Sequence, residues 1–424
     1  MAAKSSISKT ILANGVRVLS EWVPHVDSVS VGIWARAGSR DETKDRLGTS
    51  HFVEHMLFKG TANRTSRRIA DEMDGLGAHL NAFTDKEFTC YYAKVLREHL
   101  FKAFDVLSDM LLNSLFDPAE IEREKNVVIE EIKRHQDTPE ENVHDILANT
   151  LWKGHRLGNS VIGSSSVVRK LTREDLIVYV DQLYRPDALL VSAAGHVEHR
   201  ELVDAIAAAF GHLEGGRPSR AAVKAKPRAD VRLIDRTTEQ VHFCLGTAGY
   251  EQDRKEKYAL ATIDSVLGGG MSSRLFQEIR ESRGLAYAIG SYSAAYQEAG
   301  LFAVYGGTSI GNIKTVLDLI QIECERIGKH SVTDQELERA KNQIRGALVL
   351  GQESMSNRMS RLAKSELYFG RIIRLDEIIS AITNVSRDDV AAVASQLFSG
   401  SRFALAAIGP FRKHPELMAE IGKS

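Results

Sequence analysis

Two histidines and a glutamate lie close together near the start of the chain, in the order His51, Glu54 and His55. No Pro or Gly interrupts residues 49–59, and apolar residues surround the three polar ones, so this stretch is predicted to be a helix. Residues i and i+4 share one face of a helix, which directs both imidazoles to one point. Such a pair suits a metal ion, and the glutamate can reach a metal-bound water without being a ligand.

The spacing HxxEH is the inverted form of the HExxH motif of zinc proteases. A five-residue pattern also arises by chance, and the alternative interpretation is an ordinary helix with two surface histidines and a solvated glutamate. The two interpretations differ in whether further metal ligands lie elsewhere in the chain.

A second helix offers carboxylates that could complete such a site. Asp117 followed by Pro118 is a typical helix start, and the helical pattern continues to His135. Glu124 and Glu131 are seven residues apart, so they face the same side of that helix. Two histidines and one carboxylate leave one position of a tetrahedral zinc open for water, as in hydrolytic sites. With Glu54 as proton acceptor, the set suits hydrolysis of a peptide bond.

Internal similarity indicates that the chain contains two copies of one domain. Residues 171–176 (LTREDL) match residues 385–390 (VSRDDV), and residues 120–126 (EIEREKN) match residues 336–342 (ELERAKN), at nearly equal offsets. A Gly-, Pro- and Ser-rich stretch between the copies is the best linker candidate. We therefore predict an N-terminal domain over 1–213, a linker over 214–222 and a C-terminal domain over 223–424.

The second copy lacks the polar residues of the first. Glu124 corresponds to Ala340 and Glu131 to Ala347, and the corresponding helix of the second half, 258–270, has neither His nor Glu. Because the copied framework persists without these residues, they are predicted to form one functional set rather than to support the architecture.

Bulk composition excludes several classes of protein. The 424 residues carry 55 Lys plus Arg against 56 Asp plus Glu, a net charge of -1 that gives no electrostatic indication of nucleic-acid or membrane binding. No apolar run is long enough for a membrane span or a signal peptide. The three cysteines are widely separated, which favours reduced thiols in a cytoplasmic compartment.

The HxxEH motif, followed by Glu131 76 residues after His55 within EREKNVVIEE, resembles the pitrilysin/insulinase family of zinc metallopeptidases. The resemblance covers nearly the whole chain, includes the duplication, and is greatest to the shorter branch typified by mitochondrial processing peptidase. It implies that His51, His55 and Glu131 hold one zinc ion per chain. It also implies that Glu54 is the general base and that Glu124 supports the site.

The same resemblance implies two substrate-contacting regions. Residues 77–84 (GAHLNAFT) would be an edge strand on which substrate adds as a further strand, with Asn81, Ala82 and Phe83 as the candidate contacts. An ordinary strand is the alternative interpretation.

Arg280 and Tyr287, seven residues apart, resemble the pair with which the family contacts substrate and polarises the scissile carbonyl. In the short branch this pair would approach the zinc of a partner chain. The alternative is an Arg in a surface ion pair and a Tyr in the core.

Together these features predict an α+β protein with two homologous domains, each a mainly antiparallel sheet packed with helices. The expected activity is that of a zinc-dependent endopeptidase or oligopeptidase that hydrolyses extended peptides, presequence-like ones included, inside the chamber of a homodimer. Two alternatives stay open: a catalytically silent structural or assembly subunit of the same family, and a catalytic subunit that needs a different partner chain.

Overall fold

The structure is a computed structural model that describes residues 6–216, 223–399 and 403–421. Its helices are α1 (Thr49–Leu57), α2 (Ser66–Gly75), α3 (Leu100–Leu112), α4 (Pro118–Asp137), α5 (Pro139–Leu151), α6 (Ser165–Val168), α7 (Arg173–Leu183), α8 (His199–Phe210), α9 (Lys257–Leu267), α10 (Ile313–His330), α11 (Asp334–Gly351), α12 (Met355–Phe369), α13 (Leu375–Thr383), α14 (Arg387–Phe398) and α15 (Pro415–Ile421). None of these helices, within the described ranges, combines the length and apolarity that a membrane crossing requires.

The chain forms two compact units, each made of three segments. The first contains Met1–Lys133, Asn159–Ala221 and Leu350–Ile373, and the second contains Arg134–Gly158, Ala222–Val349 and Arg374–Ser424. These units depart from the predicted linear boundaries, because 134–158 packs with the second unit and 350–373 with the first. Residues 217–222 of the predicted linker lie outside the described residues.

The first unit is built on a six-stranded sheet. Its strands are β1 (Ser6–Ile11), β2 (Arg17–Trp22), β3 (Ser28–Ala35), β4 (His79–Thr84), β5 (Thr89–Leu96) and β6 (Leu189–Gly195), in the order β1-β2-β6-β3-β5-β4. Every neighbouring pair is antiparallel except β2 and β6. A tight turn at Asn14-Gly15 joins β1 to β2, and Gly15 has the positive φ of 98° that this turn requires.

Alternate residues of these strands pack into two apolar layers, one on each face of the sheet. Val31 and Ile33 belong to the main core, which includes buried residues of α1, α3 and α4. Trp34 and Cys90 belong to a second cluster, where they meet Met359 of α12. Successive strand residues point to opposite faces, so α12 covers the face of the sheet opposite the main core.

Helix α12 is also held to the first sheet by buried charge. Glu21 of β2, 2% exposed, accepts hydrogen bonds from Arg358 and, at 3.0 Å, from Arg361. Glu366 pairs with Lys9 of β1 at 2.7 Å. The first unit is therefore completed by a helix that comes from the second half of the sequence.

The second unit repeats this plan. Its strands are β7 (Val231–Asp235), β8 (Val241–Gly249), β9 (Ala286–Ala295), β10 (Gly300–Thr308) and β11 (Ala404–Gly409), in the order β7-β11-β8-β10-β9, with only β7 and β11 parallel. Here α5, from the first half of the sequence, packs on the sheet through Leu147 against Cys244 and Ala406. The predicted α+β class with two homologous, mainly antiparallel domains is confirmed.

Candidate metal centre

Helix α1 positions the two histidines by burying its other face. Phe52, Val53 and Met56 are buried in the main core of the first unit. The opposite face carries His51 and His55 one turn apart, with ring centroids 4.6 Å from each other. The predicted helix is thus present, and it ends at Leu57, two residues earlier than the pattern indicated.

Glu131 of α4 faces both imidazoles. Its Oε1 is 3.7 Å from Nε2 of His51 and its Oε2 is 3.4 Å from Nε2 of His55. Zinc bonds of 2.0–2.2 Å in a tetrahedron separate neighbouring ligand atoms by about 3.4 Å. The three side chains fit a zinc ion, and within the described residues they are the one group of three such ligands whose atoms lie within 4.8 Å of one another.

The surroundings of the two imidazoles shift their pKa values in opposite directions, and both shifts bear on cation binding. Burial, with the neighbouring His55, lowers the pKa of His51 to about 4, so its imidazole is neutral and keeps a lone pair for a metal. Burial also acts to lower the pKa of His55, but hydrogen bonds to Glu124 and Glu131 outweigh it and raise that pKa to about 9 in the metal-free chain. The carboxylates of Glu124 and Glu131 therefore favour a positive charge at or beside His55.

Glu124 lies behind His55 on the same face of α4 as Glu131. Its Oε1 is 2.8 Å from Nδ1 of His55, and its Oε2 accepts a hydrogen bond of 2.6 Å from Nζ of Lys59. Metal-binding histidines commonly donate their second nitrogen to a carboxylate, which fixes the ring and its tautomer. Glu124 has the position of such a supporting group. Lys59, which no sequence pattern connects to the site, holds it there.

Glu54 lies outside the three-ligand group and contacts the edge strand. Its Oε2 accepts a hydrogen bond of 2.5 Å from the hydroxyl of Thr84, the last residue of β4. Burial raises the pKa of Glu54, and the Thr84 hydrogen bond acts in the opposite direction. A carboxylate with a raised pKa is a better proton acceptor, as a general base requires.

Strand β4 is an edge strand, as the family resemblance implied for residues 77–84. The amide of Ala82 donates to Oδ1 of Asn81 at 2.8 Å rather than to β5, so it faces the open edge of the sheet. The ring of Phe83 packs edge-on against Trp34, with centroids 5.6 Å apart. Substrate contact by these three residues stays a prediction. Of these three residues, Ala82 has a backbone amide oriented toward the edge where a substrate strand would add.

Arg280 and Tyr287 both belong to the second unit. The guanidinium of Arg280 lies over the ring of Tyr287, 4.9 Å from its centroid, and 4.7 Å from that of Phe276. Tyr287 is 77% exposed, so the alternative of a core tyrosine is wrong. An approach of this pair to a metal in a partner chain stays a prediction.

The sequence-predicted residues therefore fall into two groups. The first unit brings together His51, His55, Glu131, Glu124 and Glu54, with Asn81, Ala82 and Phe83 on the strand that Glu54 contacts. Arg280 and Tyr287 contact each other in the second unit. Thr84 and Lys59 were missed, because no spacing rule connects a strand-end threonine or a lysine beyond a helix end to a particular carboxylate.

Comparison with known proteins matches both halves of the chain. Residues 17–165 match the family model described as insulinase (peptidase family M16), and residues 170–344 match the model described as peptidase M16 inactive domain. An uncharacterized zinc protease of Bacillus subtilis is 40% identical over 96% of this chain and 100% of its own length. One from Streptomyces coelicolor is 40% identical over 96% of this chain and 90% of its own.

Solved structures agree with the fold. A protease from Helicobacter pylori superposes with a TM-score of 0.90 at 21% identity, covering 96% of this chain and all of that one. A peptidase M16 inactive domain from Pseudomonas fluorescens gives 0.89 at 20% identity, covering 96% and 98%.

Proposed function

The chain belongs to the insulinase family of peptidases, family M16, and we propose that it is a zinc-dependent endopeptidase or oligopeptidase that hydrolyses extended peptides. The observation that carries the proposal is the group formed by His51, His55 and Glu131, with Glu54 one residue before the second histidine. A hydrolytic zinc site needs three protein ligands, an open position and a nearby base. These residues can supply each of those needs.

The residues divide the work of hydrolysis. His51, His55 and Glu131 would hold zinc, which polarises a peptide carbonyl and makes water a stronger acid when it is bound. Glu54 accepts the proton of the attacking water and returns it to the leaving amine. The Thr84 hydroxyl, bonded to one oxygen of Glu54, orients that carboxylate and leaves its other oxygen for the proton transfer. Glu124 keeps the ring of His55 in place.

Extended peptides are the proposed substrates because of the open edge of β4. A peptide that adds as a strand needs a free backbone, which folded proteins do not offer. The amide of Ala82 faces that edge, and Thr84 at the end of the same strand contacts the proposed base. Asn81, Ala82 and Phe83 would line the added strand. Presequence-like peptides are one such class.

We further propose a homodimer whose halves enclose the site. Support comes from Arg280 and Tyr287, because a half-buried guanidinium stacked on an exposed phenol can donate, with that phenol, to a substrate carbonyl. The three cysteines of the chain are free and buried, which supports the proposed cytoplasmic, reducing location.

The proposal is tested by digesting a mixed library of unfolded peptides with the purified chain, with and without a chelator, while its mass in solution is measured. We expect the peptides to be cleaved by a species of twice the chain mass. A chelator should abolish this cleavage, and added zinc should restore it. Bound zinc without cleavage, with cleavage appearing only when a second kind of chain is added, would support the heteromeric alternative. A chain that neither binds zinc nor cleaves would be a structural subunit.

A further inference from the structure

The start of α1 lacks the side-chain cap that most helices have. Its N-cap residue is Gly48, with a φ of 94°. A Cβ atom at this position would lie 2.9 Å from the carbonyl oxygen of Ile162. The Ser, Thr, Asp or Asn that usually accepts the first N–H groups of a helix is therefore excluded here. Those groups must find an acceptor elsewhere.

Glu42 supplies that acceptor from the preceding loop. One carboxylate oxygen accepts from the amide of Gly48 at 2.8 Å, and the other accepts from the amide of Ser50 at 2.7 Å and from its hydroxyl. Glu42 is only 3% exposed. Burial raises its pKa to about 7, while the hydrogen bonds from Ser50 and Gly48 act to lower it.

The negative charge of Glu42 lies close to His51, where it can affect the binding of a cation. His51 is the third residue of α1, so a metal bound to it lies near the helix N-terminus. Unsatisfied N–H groups give a helix N-terminus a partial positive charge, which disfavours a nearby cation. A carboxylate on two of those N–H groups offsets this charge and at the same time fixes the turn that carries the ligand.

We propose that Glu42 is a positioning residue of the metal centre: its buried carboxylate fixes the first turn of α1 and offsets the positive end of the helix, so that His51 can hold a divalent cation. The inference rests on the proposed function for the identity of the site as a zinc site. It differs from a purely structural cap because it requires the negative charge and not only a hydrogen-bond acceptor.

The test compares Glu42→Gln, which keeps the shape and one acceptor oxygen, with the wild type. Zinc affinity is measured by competition with a chelator, and the cobalt-substituted protein is examined by visible absorption. We expect zinc to bind about tenfold more weakly, as for other groups that support metal ligands, and the cobalt bands to change. Unchanged affinity and unchanged bands would overturn the proposal.

Thr65→Ala is the matched control. Thr65 caps α2 in the same unit by accepting from the amide of Arg68, so its loss removes a helix cap without touching α1. The control is expected to lower stability and leave zinc affinity unchanged. An equal loss of zinc affinity in both variants would mean that general destabilisation is responsible, which would also overturn the proposal.

Glu42→Asp keeps the charge on a side chain one methylene shorter, so its zinc affinity is expected between those of Glu42→Gln and the wild type. If Glu42→Gln does not fold, Glu42→Asp tests whether the carboxylate positions the first turn of α1: weaker zinc binding with altered cobalt bands supports this positioning role, and wild-type affinity with wild-type bands overturns it. Measurements on the wild type distinguish failure of the proposed function from failure of the Glu42 proposal. If the wild type binds zinc but cleaves no peptide, only the proposed function is wrong. If the wild type cleaves peptides and Glu42→Gln binds zinc normally, only the Glu42 proposal is wrong.

Discussion

Nδ1 of His55 lies 2.8 Å from Oε1 of Glu124, and the other oxygen of that carboxylate is 2.6 Å from Nζ of Lys59. The imidazole donates through Nδ1 to Glu124, and its Nε2 faces Oε2 of Glu131 at 3.4 Å. The lysine keeps the carboxylate from rotating away. A chain of three charged or polar groups thus fixes the orientation of one proposed ligand.

Glu124→Gln is expected to weaken zinc binding by about 10- to 100-fold, because groups that orient a metal ligand typically contribute that much. Equilibrium competition with a chelator measures the effect. Glu122→Gln is the control, since Glu122 lies on the same helix but bonds to Lys125 at 2.6 Å. If both variants bind zinc as the wild type does, Glu124 does not support the site.

Glu54→Gln is expected to lower kcat by about 10²- to 10⁴-fold, the usual contribution of a general base, while zinc stays bound. Peptide hydrolysis and metal content are measured on the same preparation. Glu130→Gln should be neutral, because Glu130 is exposed and bonds to Lys133 at 2.6 Å. Retained hydrolysis in Glu54→Gln would exclude Glu54 as the base.

Thr84→Val removes the hydroxyl that donates to Glu54 but keeps a branched side chain suited to a strand. We expect kcat to fall about tenfold, since a net hydrogen bond to a charged group contributes roughly 1.5 kcal/mol. Thr84→Ser keeps the hydroxyl and should retain most of the activity. A larger loss in Thr84→Ser than in Thr84→Val would indicate that the methyl group matters and the hydroxyl does not.

The stability of the zinc-free protein should depend on pH through Glu42. Its carboxyl has a pKa of about 7 in the folded protein, against the ordinary value of 4.5 that applies to the unfolded chain. The folded state therefore binds the proton more tightly. Its contribution is fully present below the reference pKa and is lost as pH rises through 7, by about 3 kcal/mol. Denaturant unfolding across this range should show that loss relative to Glu42→Gln. Parallel curves for the two proteins would contradict it.

Glu21→Gln is expected to lower the free energy of unfolding by about 3–5 kcal/mol, because it leaves the charges of Arg358 and Arg361 without their buried counter-ion. Chemical denaturation measures the loss. Glu98→Gln, on an exposed glutamate of the same unit, should change stability by less than about 0.5 kcal/mol. A loss below about 1 kcal/mol for Glu21→Gln would show that the ion pairs of Glu21 contribute little to holding α12.

Local patterns predicted the parts of the site that lie on regular elements. The i and i+4 spacing of His51 and His55, and the seven-residue spacing of Glu124 and Glu131, are properties of single helices, so the faces of α1 and α4 followed from the sequence. That these two faces meet was expected from the family resemblance. The loss of the corresponding residues at Ala340 and Ala347 indicated that they act together.

Other features depend on contacts between residues that are distant in sequence. The partner of Glu42 is set by the path of the loop that leads into Gly48, and the partner of Thr84 is set by how β4 lies beside α1. Similarly, α5 and α12 are ordinary amphipathic helices in the sequence, and no periodicity shows which sheet each one covers. The exchange of these helices therefore appears only in the structure.

That exchange also sets an order for the biogenesis of the protein. The first sheet lacks the cover of α12 until the chain has been synthesised beyond residue 369, long after α1 and α4 have been made. At about 5–20 residues per second, roughly eight to thirty seconds separate residue 221 from residue 373. A nascent chain thus carries both histidines and Glu131 well before α12 is available to complete the first unit.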